Sequence, residues 1–363
     1  MSYQRDFQNR LNVGVVGVGS HCYRNILPAL HYLPVRVQAF CDVNLELAQR
    51  TAGEYGVSRC YASNAEMYRN EKLDVVILCV GPAQHPVLAC EAFAAGLHVW
   101  MEKPAAMRLT QIEEMLRKRG DRVAVVGFKK VFMPAVEKFR EILAQEKHQP
   151  LRSILAQYPV VVPADGPAVL REGRFTNWLG NGCHPLSFMI ALGGAVEAVT
   201  VHHGRHDTSV VILEFSGGAI GTLHAVSGGR FQPHEMYTVY ANDANLVLDN
   251  CLRITYQRGA RLEYGVSTSY APGGFEQGAI VWEPQNTLST LENVSLMTQG
   301  VYGSLRSFCD QVQGGPRRHD GSLEFARDVV AVYEAALLSE GKRVELHEMF
   351  YDATANPPGK AKS

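Results

Sequence analysis

The chain has 363 residues, which exceeds one usual domain and makes two domains the default expectation. Hydrophobic residues make up 46% and charged residues 20%, and the formal net charge is −1, so the composition is that of an ordinary globular protein and does not indicate nucleic-acid binding. No apolar run reaches the roughly 18 residues that span a bilayer, and the polar start "MSYQRDFQNR" does not resemble a signal peptide. We therefore expect a cytoplasmic protein without nucleic-acid or membrane partners.

In chain order, short apolar segments first alternate with helix-like segments. "NVGVVGV", "VRVQAFCD", "DVVILCV", "HVWME" and "RVAVVGF" read as buried strands, and segments such as "NLELAQRTAGEYG" and "LTQIEEMLRKRG" read as helices between them. This alternation predicts a parallel sheet covered on both faces. We predict an α/β Rossmann domain, a doubly wound parallel sheet that binds a dinucleotide, over residues 1–127.

The pattern changes after Gly127. A helical segment, "MPAVEKFREILAQEK", is followed by closely spaced strand segments and then by helices such as "SLEFARDVVAVYEAALLSEG". We predict an α+β domain with a large, mostly antiparallel sheet over 128–350, followed by a loose tail over 351–363. The cofactor cleft is expected between the two domains. The open face of the second sheet predicts a homo-oligomer, a dimer or tetramer.

Eight cysteines are spread along the chain, and none forms a C-x-x-C pair. Most lie in apolar stretches such as "VILCVG" and "QAFCDV", which is typical of buried thiols in a reducing cytoplasm. We therefore expect neither a disulfide framework nor a metal site.

The first strand-to-helix turn, "GVGSHC", carries Gly17 and Gly19. Gly17 permits the tight turn, and Gly19 lets the backbone approach a pyrophosphate at the helix N-terminus. Cys22 stands at the third fingerprint position, where its small side chain is compatible with close packing. The turn follows a strand and opens a helix, which is the context that dinucleotide binding requires.

Asp42 ends the second predicted strand, 23 residues after Gly19. An acid about 20 residues after the glycines binds the ribose hydroxyls of the adenosine and repels a 2′-phosphate. No Arg or Lys follows immediately, so NAD is favoured as the cofactor over NADP. The alternative is that Asp42 caps the next helix, and one residue can do both.

"VGVVGVGS", "CDVN", "VVILCVGPAQH", "AFAAGLHVWMEKPAA" and "VGFKKVFMPA" occur in the order found in one known family. The chain resembles the glucose–fructose oxidoreductase / inositol dehydrogenase (Gfo/Idh/MocA-like) family over residues 11–195, and the E-K-P sequence is the most specific match. The resemblance implies an NAD(P)-dependent dehydrogenase or reductase. Its substrate would be a secondary alcohol or ketone of a sugar, sugar derivative or cyclitol.

The resemblance also implies the catalytic residues. Lys103, in the E-K-P sequence, would lie beside the nicotinamide and stabilise an alkoxide-like oxygen, and Pro104 favours an extended backbone there. His184, in "GNGCHPLSF", would accept the hydroxyl proton. The family usually carries an acid four residues before this histidine, and Gly180 stands there. Which of the two side chains takes the proton therefore stays open.

Further residues complete the predicted site, each with an ordinary structural alternative. His85 is more typical of a helix cap or packing residue than of an acid–base group, although its loop is expected near the cofactor. Lys129 and Lys130 could instead be a solvated pair, and the residues of "REGRFTNWLGN" could simply pack. The remaining cofactor candidates are Ser20, His21, Val80, His85 and Glu102, and the remaining substrate candidates are Lys129, Lys130, Arg174, Asn177, Trp178 and Asn181.

Two alternatives to a dehydrogenase fit the same sequence. One is a non-catalytic regulator that senses NAD(P) or a sugar, since a fold does not fix a function. The other is an NAD-dependent glycosidase, in which hydride transfer is transient. Lys103 and His184 argue for a catalyst, whereas Gly180 argues mildly for a sensor.

Overall fold

The computed structural model describes residues 7–226, 234–258, 278–284 and 295–355. The chain forms two compact units. The first consists of Met1–Phe132, Gln299–Ala331 and Phe350–Ser363, and the second of Met133–Thr298 and Val332–Met349.

The first unit contains a six-stranded parallel sheet in the order β3-β2-β1-β4-β5-β6. Every residue of β4 is buried, as expected for a strand covered by helices on both faces. The predicted Rossmann domain is thus confirmed. The strands are β1 Leu11–Val16, β2 Val35–Cys41, β3 Arg59–Tyr61, β4 Val75–Leu78, β5 His98–Met101 and β6 Ala124–Val126.

Helices connect these strands. The helix after β2 begins at an Asn44 side chain that accepts a hydrogen bond from the Leu47 N–H and ends at Gly56 in the left-handed conformation. The connection after β1 opens with a π-helical turn, Cys22–Ile26, and a 3₁₀ turn, Lys129–Phe132, follows β6. The helices are α1 Leu27–Leu30, α2 Leu45–Tyr55, α3 Asn64–Asn70, α4 His85–Ala94 and α5 Leu109–Arg119.

The second unit contains a nine-stranded sheet in the order β14-β13-β12-β11-β7-β10-β9-β8-β15. Neighbours pair antiparallel except β7 and β10, which run parallel, so the predicted mostly antiparallel sheet is confirmed. The strands are β7 Leu151–Tyr158, β8 Val196–His203, β9 Thr208–Phe215, β10 Ile220–Val226, β11 Met236–Ala241, β12 Ala244–Asp249, β13 Arg253–Arg258, β14 Ala279–Trp282 and β15 Val344–Glu345.

One long helix packs on one face of this sheet. Phe188 of that helix, α8, lies against Tyr237 of β11 with ring centroids 4.0 Å apart, and the Phe139 ring lies 6.1 Å from that of Phe188. The helices of this part of the chain are α6 Pro134–Leu143, α7 Gly166–Glu172, α8 Asn177–Gly193 and α9 Ser295–Thr298, with a short 3₁₀ turn at Glu146–His148.

The C-terminal helices divide between the units. They are α10 Val301–Val312, α11 Leu323–Leu338 and α12 Leu346–Ala355. The Trp100 indole at the end of β5 donates to the Ser304 hydroxyl of α10 at 3.1 Å, which places α10 in the first unit. The division differs from the predicted boundary at residue 127, because covering the first sheet requires this later segment.

The predicted loose tail also begins too early. Helix α12 continues to Ala355, five residues into the predicted tail, and residues 356–363 lie outside the described residues. Within the described part of the chain, no helix combines the length and apolar character needed to cross a membrane. All eight cysteines are free thiols.

Candidate active site

Four predicted site segments follow directly on strands of the parallel sheet. Gly17 follows β1, Asp42 follows β2, Val80 lies just beyond β4, and Glu102 follows β5. The carboxyl ends of parallel strands share one edge of a sheet, and ligands of open α/β sheets bind at that edge. The first unit therefore gathers these four residues at the carboxyl edge of its parallel sheet.

Gly17 occupies a position that excludes any side chain. Its φ is +85°, in the left-handed region, and a Cβ there would lie 2.5 Å from the carbonyl oxygen of Cys79. The Gly17 N–H also donates to the Cys41 carbonyl at 2.8 Å. The turn can thus form only because no side chain separates it from the neighbouring strand ends.

Gly19 is glycine for a different reason. Among the described residues, no atom lies within 4 Å of the position a Cβ would take, so the backbone here faces open space. Ser20 and His21 follow on the exposed surface, and Cys22 is buried at the start of the π-helical turn. An exposed backbone before a helix start is what close approach of a pyrophosphate requires.

The Asp42 carboxylate braces the loop around it. One oxygen accepts a hydrogen bond from the Val18 N–H at 2.9 Å, and the other accepts from the Asn44 N–H at 2.9 Å. Each oxygen keeps a further lone pair for a ribose hydroxyl. The cap of α2 is Asn44, so the alternative that Asp42 serves as that cap is wrong.

A cavity of about 490 Å³ lies beside Asp42 within the first unit. Its volume falls in the range typical of small-molecule sites, and its wall is mainly apolar, which suits an adenosine. The predicted residues Gly17, Asp42 and Val80 line it. Sequence reasoning missed the other lining residues, which only the fold brings together: Val16, Cys41, Val43, Ala62, Asn64, Ala83, Gln84, Val87 and Leu88.

Glu102 connects the glycine turn to the E-K-P segment. One carboxylate oxygen lies 3.1 Å from His21 Nε2, and the other accepts the Lys103 N–H at 3.0 Å. Lys103 itself is half-buried, two residues beyond β5, and the Lys103–Pro104 peptide bond is cis. The structure therefore brings three predicted residues, His21, Glu102 and Lys103, together at the sheet edge.

His85 forms a hydrogen bond with the E-K-P segment. Its ring is fully buried, and Nδ1 lies 3.0 Å from the Pro104 carbonyl oxygen, to which it donates. Burial lowers the pKa of His85, and the Pro104 carbonyl and the Glu102 charge only partly offset that effect. A neutral, buried imidazole of this kind acts as a packing and positioning residue, which was the ordinary alternative for His85.

The two lysines after β6 differ. Lys129 Nζ donates to the Gln299 side chain at 3.2 Å on the exposed surface. Lys130 is buried, with 4% of its surface exposed, so the alternative of a solvated pair does not hold for Lys130. Both lie in the first unit, on the 3₁₀ turn Lys129–Phe132.

His184 lies in the middle of α8 in the second unit and is 6% exposed. The Tyr158 ring at the end of β7 lies 6.4 Å from the His184 ring, centroid to centroid. Gly180 precedes His184 by one helical turn, and a Cβ on Gly180 would lie 2.8 Å from the tip of the Phe175 ring. Sequence reasoning missed Tyr158 and Phe175, because only the fold brings them to His184 and Gly180.

The remaining substrate candidates in and before α8 differ in their surroundings. Trp178 is fully buried and its indole donates to the Tyr333 carbonyl at 3.3 Å, so it is a core residue and cannot stack on a sugar ring. Arg174 forms ion pairs with Asp165 and Glu172. Asn177 and Asn181 are exposed on α8, seven and three residues before His184, respectively.

Comparisons with known proteins indicate the class of this protein. Residues 11–130 match the family described as "Oxidoreductase family, NAD-binding Rossmann fold" (GFO_IDH_MocA). Trans-1,2-dihydrobenzene-1,2-diol dehydrogenase of Sus scrofa is 26% identical over 232 residues, covering 59% of this chain and 67% of that protein. Myo-inositol 2-dehydrogenase of Thermotoga maritima is 23% identical over 296 residues, covering 74% and 86%.

A solved structure supports the fold. An oxidoreductase from Agrobacterium radiobacter, in complex with NAD+, L-tartaric acid and magnesium, superposes with a TM-score of 0.76 at 16% identity, covering 94% of this chain and all of that one. At this identity the likeness speaks for the fold alone.

The sheet topology and the glycine turn, together with the family match over residues 11–130, are those of an NAD-binding oxidoreductase. Residues 11–130, one third of the chain, match the Gfo/Idh/MocA model of this oxidoreductase class. The predictions of an NAD(P)-dependent dehydrogenase and of NAD as its cofactor are confirmed.

Proposed function

We propose that the protein transfers hydride between NAD and a secondary alcohol or ketone of a sugar, sugar derivative or cyclitol. The observation that carries the proposal is the shared edge at which Gly17, Asp42 and Lys103 follow three strands of one sheet. The same edge therefore offers a dinucleotide cradle and a cation for the reacting oxygen. When bound, NAD supplies the hydride acceptor, and the protein supplies position and charge.

Asp42 orients the adenosine end. Its two backbone hydrogen bonds fix the carboxylate at the mouth of the cavity, where it accepts hydrogen bonds from ribose hydroxyls. A 2′-phosphate at that position would meet a like charge, and the next two residues, Val43 and Asn44, carry no compensating charge. NAD is therefore preferred over NADP.

Lys103 acts at the reacting oxygen. Its backbone is fixed on both sides, since Glu102 accepts its N–H and His85 holds the Pro104 carbonyl. A cation on a fixed backbone stabilises the negative charge that develops on the alcohol oxygen as its hydride leaves, without reorganisation at that moment.

His184 is the proposed acceptor of the hydroxyl proton. An imidazole is suited to this step near neutral pH. Gly180 provides no carboxylate one turn before it, so Lys103 shares the task of handling that proton. Lys130 and Asn181 are proposed to contact substrate hydroxyls.

The test is a panel of sugars, polyols and cyclitols with NAD, followed by absorbance of the reduced nicotinamide. Lys103→Met and His184→Asn are each expected to lower kcat about 10²–10⁴-fold while NAD binding changes little. Only one variant should lose a limb of the pH–rate profile, which identifies the proton acceptor. Near-normal single-turnover rates in Lys103→Met would overturn the assignment.

The same experiment separates the alternatives. Tight NAD binding without turnover of any alcohol in the panel would favour a sensor. Hydrolysis of a glycoside without net NADH formation would favour the glycosidase.

We also propose a cytoplasmic homo-oligomer, a dimer or tetramer, assembled through the open face of the second sheet. Neighbouring strands place apolar side chains on that face: Leu155 of β7 is 40% exposed, Ile220 of β10 is 50% exposed, and Tyr240 of β11 is 41% exposed. Ser153 of β7 pairs with both Ile220 and Tyr240, so these side chains form one continuous outward patch. A second copy of the chain would bury it.

A further inference from the structure

A second cavity, of about 490 Å³, lies within the first unit. It is bordered by the end of α5, the turn into β6 and the segment that leads into α11. Ala124, the first residue of β6, lines it, so the cavity lies at the amino edge of the parallel sheet. Gly17 and Asp42 follow their strands and lie at the opposite, carboxyl edge. The cavity is therefore separate from the predicted cofactor site.

Charged side chains line this cavity, and cations are in excess. Four are arginines and two are carboxylates: Arg119, Arg122, Arg317, Arg318, Asp121 and Glu324. The whole chain carries a formal net charge of −1, so the excess of two positive charges is a local feature. A concave site lined by one excess sign of charge concentrates ions of the other sign.

Two of the arginines are already committed to protein partners. Arg119 forms a bidentate pair with Glu324, with nitrogen–oxygen distances of 2.9 and 2.6 Å. The Arg318 guanidinium lies over the Phe132 ring, 4.6 Å from its centroid, and 3.5 Å from the Asp320 carboxylate. These two side chains form the wall of the cavity and have little charge left for a ligand.

Arg122 and Arg317 differ from that pair. Arg317 donates to the backbone carbonyl of Asp121 at 3.0 Å, and no carboxylate of the described residues forms an ion pair with it. Arg122 lies 3.1 Å from the Asp121 carboxylate, whose side chain is 85% exposed, so water screens that pair. Burial lowers the pKa of the neighbouring His98, and the charges of Arg122 and Arg317 lower it further. The local field of these two arginines is thus positive.

The segment that carries Arg317 is fixed to β6. The Val126 N–H donates to the Gly321 carbonyl at 2.7 Å, and Ser322 forms a β-bridge with Val125. The backbone that presents the guanidinium is therefore held in place before a ligand arrives, which lowers the ordering cost of binding.

We propose that Arg122 and Arg317 bind a phosphate dianion in this cavity. A planar guanidinium donates to two phosphate oxygens at once, and a dianion matches the charge of two arginines. The cavity volume is typical of small-molecule sites, so it accommodates inorganic phosphate or the phosphate group of a small polar ester. The site does not depend on the proposed function.

Titration calorimetry of the full chain with inorganic phosphate and with glucose 6-phosphate tests the site, at about 0.15 M NaCl to screen diffuse attraction. Glucose, which lacks the phosphate, corrects for binding of the sugar elsewhere. Saturable binding is expected, and Arg317→Ala and Arg122→Ala should each weaken it about 10–100-fold, the contribution of a hydrogen bond between charged groups. Tighter binding of the ester would identify an ester as the ligand, and tighter binding of inorganic phosphate would identify the free ion.

Two further variants exclude an effect of misfolding. Asp121→Asn should strengthen phosphate binding, because it removes the carboxylate beside Arg122 and a folding defect cannot produce tighter binding. Arg171→Ala is the matched control and should leave the affinity unchanged, since Arg171 is an exposed arginine of the second unit, 3.9 Å from Glu172. Melting temperatures verify that each variant is folded.

Repeating the titration at saturating NAD separates this site from the glycine turn. Phosphate binding should persist when NAD is bound. Binding that NAD abolishes would place the ion at the glycine turn and overturn the proposal. No saturable binding of either phosphate compound, or an affinity that both alanine variants leave unchanged, would also overturn it while leaving the proposed function intact.

Discussion

His85 Nδ1 lies 3.0 Å from the Pro104 carbonyl oxygen, so the first residue of α4 holds the turn that follows the neighbouring strand. A carbonyl only accepts hydrogen bonds, which assigns the proton of the neutral ring to Nδ1. His85 therefore positions the backbone next to Lys103, and the proton on its buried, uncharged ring is held in this hydrogen bond.

The first prediction follows from the lowered pKa of His85. As pH falls below about 6.5, the unfolded chain takes up a proton that folded His85 resists, so the free energy of unfolding decreases. The contribution is present above the unfolded pKa and lost below it. His85→Gln should therefore show a shallower decrease in the free energy of unfolding between pH 7.5 and 5.5, measured by urea denaturation.

His98 does not confound this comparison. Burial lowers its pKa too, but it is present in both proteins and cancels in the difference between them. Parallel pH dependences in the two proteins would show that His85 titrates normally in the folded state.

The second prediction contrasts the two glycines of the first turn. Gly17→Ala should destabilise the protein by about 1–3 kcal/mol or more, because the residue is left-handed and its Cβ would meet the Cys79 carbonyl. Gly19→Ala should leave the melting temperature nearly unchanged, since no described atom lies within 4 Å of the new methyl group. It should nevertheless weaken NAD binding, because the methyl group blocks approach of the pyrophosphate.

Differential scanning calorimetry with and without NAD measures both effects. Equal destabilisation by the two substitutions would contradict the assigned roles. So would a Gly19→Ala protein that binds NAD normally.

The third prediction concerns cofactor choice. Titration calorimetry should show tighter binding of NAD than of NADP, and Asp42→Ala should narrow the gap by removing both the ribose contact and the repulsion of a 2′-phosphate. Asp42→Asn is the informative companion, since it keeps hydrogen-bonding capacity and removes the charge. Stronger binding of NADP by the unmodified protein would exclude the ribose-carboxylate role.

The fourth prediction concerns the open face of the second sheet. Leu155→Lys should shift the protein toward the monomer in light scattering after size exclusion, because a charge in an apolar interface must be desolvated. Leu338→Lys is the matched control, with 41% exposure against 40% for Leu155. A monomeric unmodified protein, or equal behaviour of the two variants, would refute assembly through this face.

The sequence predicted those parts of the site that depend on local pattern. Gly17 and Asp42 were found because a strand, a turn and a helix start lie within a few residues of each of them. Phe175 was missed because its position over Gly180 depends on how the chain before α8 folds back. Trp178 was assigned to the substrate because an aromatic residue before a histidine suits a sugar ring, but a fully buried indole cannot serve there.

The domain boundary shows the same limit. The hydrophobic pattern marks where strands end, but not which later helix covers them. The hydrogen bond from Trp100 to Ser304 joins residues 204 positions apart, and no local signal predicts such a pair.

The contact between Trp100 and Ser304 also has a consequence for folding during synthesis. The second unit begins at Met133, so the ribosome synthesises most of it before residues 299–331, which supply α10 to the first unit, emerge. Until then α10, which carries the Ser304 partner of Trp100, has not been synthesised. The first unit therefore cannot complete its packing while the chain up to that point emerges. The chain passes from the first unit to the second and back twice, since the second unit consists of Met133–Thr298 and Val332–Met349. A gene fragment that stops at Phe132 would therefore encode an incomplete first unit. Expression trials should retain the C-terminal helices.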